Sequence, residues 1–232
     1  SLVDPFNGRR DIKRKAIVCV GDAKTRFQED PLRLLRVIRF SVQLKFHVGI
    51  ETETLINQMA PSLVNISAER IQDELRKIFL AGESNLHMLY CTLHAYRPVF
   101  CQIIPELKSC IDFNQHSSYH AYTVCDHIFK AVGKLYNAAS YESEFAATAH
   151  AHWFELCMTM LLHDIGKPQC FTQDENGIGH FYGHAKVSAD MADSILRRLK
   201  FSNAERERIV TLIEYHDYQF EPSARCANRL IA

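Results

Sequence analysis

The chain has 232 residues, of which 47% are hydrophobic and 23% charged, and its 27 basic and 27 acidic side chains give a formal net charge of zero. This composition is typical of a folded globular protein and excludes collagen-like, low-complexity and disordered classes. No apolar run approaches the ~20 residues that span a bilayer, so we expect no membrane partner. The eight cysteines include no C-x-x-C pair, which favours reduced thiols in a cytoplasmic protein.

The charges are distributed unevenly along the chain. Residues 1–45 carry eleven Lys and Arg side chains against five acids, whereas the remainder has the opposite imbalance. A basic end of this kind predicts a polyanionic partner for that end only. Nine of the twelve histidines lie within residues 116–216, so the sequence predicts two functions in two regions.

The first region reads as a short strand followed by helices. Lys13–Val20 is β-branched and is closed by Gly21, which predicts a strand. Asp30-Pro31 is a strong helix start, with Asp as N-cap and Pro in the first turn. Helical periodicity continues through 52–59, from an N-cap at Ser67, and through 85–95 and 98–104.

The second region opens near Asp112 and is also helical. The pattern predicts helices at 120–136, 147–163, 184–199 and 202–216, a loop over Ala138–Ala149 and a polar turn over Asp174–Gly179. The expected fold class is therefore all-α with a short N-terminal β remnant. We expect three parts: a linker element at 1–27, a helical neck at 28–110 and a second helical domain at 111–232.

Histidine and aspartate side chains recur at helix ends in the second region. Imidazole and carboxylate groups are ligands for divalent transition metals, and adjacent His-Asp offers both from one helix end. Such an ion lowers the pKa of bound water, and Lys167 would hold an anionic ester. Surface or helix-capping histidines are the alternative interpretation. The predicted metal ligands are His127, His163, Asp164, His184, His216 and Asp217.

The order H…HD…H…HD in these residues resembles the HD superfamily of metal-dependent phosphohydrolases. The resemblance implies that His127, His163 and Asp164 are primary metal ligands and that His184 and His216 support a second ion. The family's last ligand is an Asp on a later helix, and we expect its position to lie beyond residue 232. We take His163, Asp164 and Lys167 as catalytic, with Ni²⁺, Mn²⁺, Mg²⁺ or Fe as the divalent ion.

The helix start at Asp30 carries a second candidate site. Asp30 and Arg33 lie one turn apart, and a carboxylate acceptor beside a guanidinium donor can bind the Watson–Crick edge of a base. An ordinary capped amphipathic helix with a solvated arginine stripe is the alternative. Arg36 lies on the same polar face, and we include it with Glu29, Asp30 and Arg33 in the predicted nucleotide-binding set.

The segments Asp4–Ile12, Arg26–Arg33 and Asn65–Leu75 resemble bacterial class II tRNA nucleotidyltransferases, the CCA-adding enzymes, and the related poly(A) polymerases. The resemblance covers nearly the whole chain, because some bacterial members also carry an HD domain. It implies that Glu29, Asp30 and Arg33 form the E-D-x-x-R motif, whose Asp and Arg select CTP or ATP. It also implies tRNA as a partner and Mg²⁺ in the family's catalytic head.

The chain departs from the family in one major respect. It contains no D-x-D motif, which the family's upstream catalytic head uses to bind metal. We therefore expect a neck-plus-HD segment that does not polymerise alone but hydrolyses phosphate esters, such as 2′,3′-cyclic phosphates. Two alternatives stay open: a poly(A) polymerase, and a non-catalytic RNA-binding neck with a degenerate HD scaffold. The sequence does not determine the oligomeric state.

Overall fold

A computed structural model describes residues 3–116, 122–135 and 144–218, and these residues are predominantly helical. The first region contains seven α-helices: α1 Gly8–Arg14, α2 Ala23–Glu29, α3 Leu32–Leu44, α4 Ile50–Met59, α5 Ala68–Gly82, α6 Leu86–Ala95 and α7 Arg97–Ile103. Two 3-10 helices, Ala60–Asn65 and Pro105–Cys110, follow α4 and α7. The expectation of an all-α fold is confirmed.

The second region supplies six further α-helices within the described residues: α8 Val124–Gly133, α9 Glu144–Ala151, α10 Trp153–Leu162, α11 Lys167–Cys170, α12 His184–Arg198 and α13 Asn203–Glu214. Four two-residue strands complete the described structure. Strand β1 (Ala16–Ile17) pairs in parallel with β2 (His47–Val48), and β3 (Thr172–Gln173) pairs antiparallel with β4 (Gly179–His180).

The predicted strand over Lys13–Val20 is largely wrong. Residues up to Arg14 belong to α1, because the Asp4 carboxylate accepts hydrogen bonds from the backbone N–H groups of Gly8 (2.7 Å) and Arg9 (3.1 Å) and so starts a helix there. Lys15 then adopts a left-handed conformation with φ 52° and ends the helix. Only the two residues of β1 remain extended and paired.

The start of α3 differs slightly from the prediction. The helix begins at Leu32 rather than at Pro31, although the Asp30 carboxylate does accept a hydrogen bond from the Leu32 N–H at 3.1 Å. Ser67 precedes α5 as predicted, but its side chain makes no capping hydrogen bond. Helices α3 and α5 pack together through fully buried residues that include Leu34, Ile38 and Ile78.

Boundaries in the second region also shift. The predicted loop over Ala138–Ala149 is wrong from residue 144 onward, where α9 begins, and residues 136–143 lie outside the described part. The predicted helix over 120–136 is observed as α8. Residues 117–121 also lie outside the described part of the chain. The polar turn over Asp174–Gly179 is confirmed as the connection between β3 and β4.

One continuous hydrophobic core joins the two regions. The indole N–H of Trp153 in α10 donates a hydrogen bond to the backbone carbonyl of Phe79 in α5 at 3.1 Å. The Arg198 guanidinium in α12 binds the Glu106 carboxylate through two hydrogen bonds of 2.8 and 2.9 Å. Within the described ranges, no helix is long and apolar enough to cross a bilayer. The seven cysteines within the described ranges are free thiols.

Candidate metal centre and nucleotide-binding cavity

Four helices of the second region bring polar side chains to one point. His127 lies on α8, and His163 and Asp164 follow the last turn of α10. His184 is the first residue of α12, and His216 follows α13. Helix ends that are far apart in sequence therefore converge on a single cluster.

Asp164 is the centre of this cluster. Its Oδ2 lies 3.3 Å from His127 Nε2 and 3.2 Å from His163 Nε2. Its Oδ1 lies 3.2 Å from His184 Nε2 and 3.5 Å from His216 Nε2. Each carboxylate oxygen thus faces its own pair of imidazole nitrogens.

The Asp164 carboxylate is only 1% exposed, yet neither oxygen accepts a hydrogen bond of good geometry from the described residues. Burial raises the pKa of Asp164, but the imidazoles of His163, His184 and His216 outweigh it and hold the pKa well below its ordinary value. The carboxylate is therefore ionised, and the Lys167 ammonium lies 2.8 Å from its Oδ2. A buried charge of this kind is expensive unless it is paired or binds a metal.

The orientation of three imidazoles is determined by their own helix ends. His163 Nδ1 donates a hydrogen bond to the Met160 carbonyl at 2.9 Å, and His184 Nδ1 donates one to the Phe181 carbonyl at 2.8 Å. His216 Nδ1 donates to the carbonyl of Ile213 at 2.7 Å. Because a carbonyl can only accept, Nδ1 carries a proton in each ring, and Nε2 is the nitrogen that points towards Asp164 and would be available to a metal.

The cluster divides into two sets of metal-ligand type that share Asp164. One set is His127, His163 and Asp164, and the other is Asp164, His184 and His216, with the donor atoms of each set within 4.8 Å of one another. Both sets line a cavity of about 440 Å³. Imidazole nitrogen and carboxylate oxygen form a donor set suited to Zn²⁺, Fe, Ni²⁺ or Mn²⁺, so the residues fit divalent ions.

Lys167 lies at the inner wall of this cavity and is only 5% exposed. Its ammonium group is 2.8 Å from Asp164 Oδ2 and donates a hydrogen bond to Gln115 Oε1 at 3.1 Å. Gln115 is fully buried and in turn donates to the Tyr122 carbonyl. Sequence reasoning missed Gln115, because it acts across 52 residues and has no motif of its own.

Other predicted residues take different places. Asp217 lines the cavity but is exposed and belongs to neither metal-ligand set, so its role as a ligand stays a prediction. His216 has its pKa lowered by burial and raised by Asp164, with a net shift above the ordinary value. Tyr182, which the sequence analysis did not single out as a site residue, also lines the cavity.

Two of the four predicted nucleotide-binding residues line a second cavity. Arg33 and Arg36 line a space of about 420 Å³ together with Arg26, Phe27 and Phe40 among others. Glu29 accepts hydrogen bonds from Arg33 at 2.7 Å and from Arg26 at 3.0 Å. These guanidinium groups hold the pKa of Glu29 below its ordinary value, although burial opposes them.

Asp30 is positioned differently from Arg33. Its carboxylate is 3.1 Å from the Arg70 guanidinium of α5, and it is not among the residues that line the cavity. The structure therefore brings Glu29, Arg33 and Arg36 together at one surface, whereas Asp30 ties α3 to α5.

Two family models match the chain. The first, described as the probable RNA and SrmB-binding site of polymerase A, matches residues 45–110. The second, the HD domain, matches residues 123–230, which include the histidine cluster. The part of the chain that holds the cluster thus matches the HD domain, and the preceding helices match a segment described for polymerase A.

Curated relatives match along nearly the whole chain. The A-adding tRNA nucleotidyltransferase of Deinococcus radiodurans is 30% identical over 99% of the chain and 51% of its own length. The CCA-adding enzyme of Blochmanniella pennsylvanica is 26% identical over 95% of the chain and 50% of its own length. That of Geobacillus stearothermophilus is 45% identical, but over only 34% of the chain. The chain spans about half the length of the first two relatives and a smaller part of the third.

The fold also matches a solved structure. A tRNA-processing enzyme in an apo form superposes with a TM-score of 0.60 at 19% identity, over 93% of this chain and 50% of that one. By the family models and the relatives, the chain is similar over nearly its whole length to part of the tRNA nucleotidyltransferases, including an HD domain.

Proposed function

We propose that the histidine cluster is a divalent-metal phosphohydrolase centre. The observation that carries the proposal is the buried Asp164 carboxylate, whose two oxygens each face a pair of imidazole Nε2 atoms at 3.2–3.5 Å. Surface or capping histidines have no reason to surround a buried carboxylate in this way. His127, His163 and Asp164 would hold one ion, and His184 and His216 would support a second.

The chain's own residues prepare the site for an anionic substrate. A divalent ion such as Ni²⁺, Mn²⁺, Mg²⁺ or Fe²⁺ would lower the pKa of water and make hydroxide available near neutral pH. The three carbonyl-bound imidazoles keep their lone pairs directed inward without rearrangement. The Lys167 ammonium, held by Gln115, is placed to attract a phosphate oxygen inside the cavity. Phosphate esters, including 2′,3′-cyclic phosphates, are the substrate class.

The neck is proposed to bind nucleotide and tRNA. Glu29, Asp30, Arg33 and Arg36 form the proposed nucleotide-binding set, and the basic cavity that Arg33 and Arg36 line supports this role. In the whole protein, CTP and ATP would be the nucleotide substrates, Mg²⁺ the metal of nucleotidyl transfer and the tRNA 3′ end the acceptor, in a cytoplasmic enzyme. Poly(A) synthesis is the alternative activity within the same family.

The test of the metal centre is hydrolysis of 2′,3′-cyclic AMP by this chain, supplied in turn with Ni²⁺, Mn²⁺ or Mg²⁺. We expect turnover that EDTA abolishes and that His163→Ala lowers by more than about 100-fold, since a direct ligand matters more than a residue behind it. His87→Ala is the matched control, because His87 is exposed on α6 and lies outside the cluster.

A non-catalytic RNA-binding module is the competing function, and the same experiment separates the two. Such a module would bind tRNA equally well with EDTA and after His163→Ala, and it would show no turnover with any of the ions. Folded protein without turnover under all three conditions, as judged by circular dichroism, would sink the phosphohydrolase proposal.

A further inference from the structure

A tyrosine at the rim of the metal-centre cavity is unusually exposed. Tyr182 is 80% exposed, although it lines the same cavity as His163, Asp164 and Lys167. An aromatic ring in this position contributes little to the core. A ring left open beside a phosphate-ester site has a face available for a ligand.

The neighbouring aromatic residues show that Tyr182 is not simply part of a loose cluster. Phe181 packs against Phe171 and Phe113, with ring centroids 5.7 and 6.5 Å away. Phe113 and Phe171 also meet edge to face at 5.4 Å. The packing requirement of this wall is therefore met without Tyr182, which follows Phe181 in sequence but remains outside.

The ring of Tyr182 is nevertheless held in a defined position. It stacks on the imidazole of His180, with centroids 5.3 Å apart and an interplanar angle of 9°. Its hydroxyl lies 3.4 Å from His180 Nδ1. His180 therefore lies against one face of the ring, while the rest of the ring stays accessible.

The support continues behind His180. His180 Nε2 is 3.2 Å from Asp174 Oδ2, and the Asp174 carboxylate also accepts hydrogen bonds of 2.9 Å from the backbone N–H groups of Asn176 and Ile178. Asp174 is thus fixed by the turn between β3 and β4. A row of three side chains, Asp174, His180 and Tyr182, extends from that turn to the cavity rim.

We propose that Tyr182, backed by His180, is a stacking platform for the nucleobase next to the phosphate that enters the metal centre. Stacking on an aromatic ring tolerates every base, because each base has a π-face. The substrate class would then be nucleotide phosphoesters and RNA 3′ ends rather than small phosphate esters. This inference rests on the proposed phosphohydrolase function and makes its substrate specific.

The test measures binding, so that it does not depend on turnover. Isothermal titration calorimetry with Mn²⁺ present would compare 3′-deoxy-3′-(phosphonomethyl)adenosine, in which a P–C bond replaces the hydrolysable P–O ester bond, with methylphosphonate alone. We expect wild-type protein to prefer the nucleoside ligand. Tyr182→Ala should lower the affinity for the nucleoside ligand by about 5- to 100-fold, the range for one stacked base, and leave the affinity for methylphosphonate unchanged.

Two variants define the role of the ring. Tyr182→Phe keeps the aromatic face and should retain the preference for the nucleoside ligand. Ile178 is also exposed and lies on the turn between β3 and β4, so Ile178→Ala should have no effect on either ligand. Equal wild-type affinity for the two ligands, or an equal loss of both in Tyr182→Ala, would overturn the platform. A retained nucleoside preference without hydrolysis of 2′,3′-cyclic AMP would instead overturn the phosphohydrolase proposal alone.

Discussion

At the scale of single residues, the two candidate sites differ in how their charges are balanced. In the proposed metal centre, Asp164 is surrounded by four imidazoles and lies 2.8 Å from the Lys167 ammonium. In the basic cavity, the Glu29 carboxylate is paired with Arg33 and Arg26. Arg36 is exposed and has no ion pair among the described residues. Of the three arginines that line this cavity, Arg36 therefore has the charge that is most available to a ligand.

Substitution of Arg36 tests the nucleic-acid role of the neck. We expect Arg36→Ala to weaken tRNA binding by about 5- to 10-fold at low salt, because a charged hydrogen bond to phosphate is lost. The slope of log affinity against log salt should fall by about one. Filter binding over a salt series measures both quantities.

The control for this variant is Arg197→Ala on α12. Arg197 is exposed, pairs with Asp193 and lies outside the basic cavity. Arg197→Ala therefore removes one positive charge from the protein, as Arg36→Ala does. Equal loss of tRNA affinity in the two variants would mean that the effect is one of total charge and not of Arg36.

At the scale of elements, periodicity predicted the helices that bury one clear face. Helices α3, α5 and α12 have this pattern, and their predicted positions agree with the structure to within a few residues. Periodicity did not predict α1, which begins in a basic segment where the Asp4 carboxylate accepts a hydrogen bond from the backbone N–H of Gly8. At the candidate site, the sequence predicted the residues of the His-Asp motifs but not Gln115 or Tyr182, because contacts between residues far apart in sequence leave no periodic signal.

Helix α13 has an N-terminus whose stability depends on pH. Ser202 and Glu205 form a capping box, and Glu205 also pairs with Arg76 of α5 at 2.6 Å. Burial raises the pKa of Glu205, but Ser202 and Arg76 outweigh it and lower the pKa below its ordinary value. The stabilisation is therefore complete above the unfolded-state pKa and is lost as the pH falls through the lower folded-state pKa.

Glu205→Gln should lower the free energy of unfolding at pH 7 by about 1–2 kcal/mol, since it removes a charged hydrogen bond and weakens a cap. Urea denaturation at neutral and acidic pH measures this difference, which should shrink as the pH falls. Glu207→Gln, exposed on the same helix, is the control. A difference that stays constant with pH would contradict the proposed ionic origin.

At the scale of the whole molecule, the neck and the HD domain share one core. Trp153, the single tryptophan of the chain, is 2% exposed and binds the carbonyl of Phe79 on the neck side. The Arg76 guanidinium lies over the ring of Phe154, with its carbon 4.3 Å from the ring centroid. Apolar and ionic contacts therefore both cross between the two regions.

A shared core predicts a single unfolding transition. Trp153 fluorescence reports the contact between the regions, whereas far-UV circular dichroism reports the helices of both, and we expect coincident urea midpoints because neither region keeps its core without the other. Trp153→Ala should lower the free energy of unfolding by about 3–5 kcal/mol. Two separate transitions in the wild-type protein would show instead that the regions fold independently.

The carbonyl-bound imidazoles have a consequence for how the centre would exchange its ions. His163, His184 and His216 each take their ring orientation from a carbonyl three residues earlier, and no ion is needed to arrange them. A divalent ion would therefore enter a set of ligands that the fold has already oriented, in contrast to small domains that assemble around their ion. The occupancy of the centre then follows the concentration of free metal in its surroundings, and the protein would lose and regain activity reversibly while remaining folded.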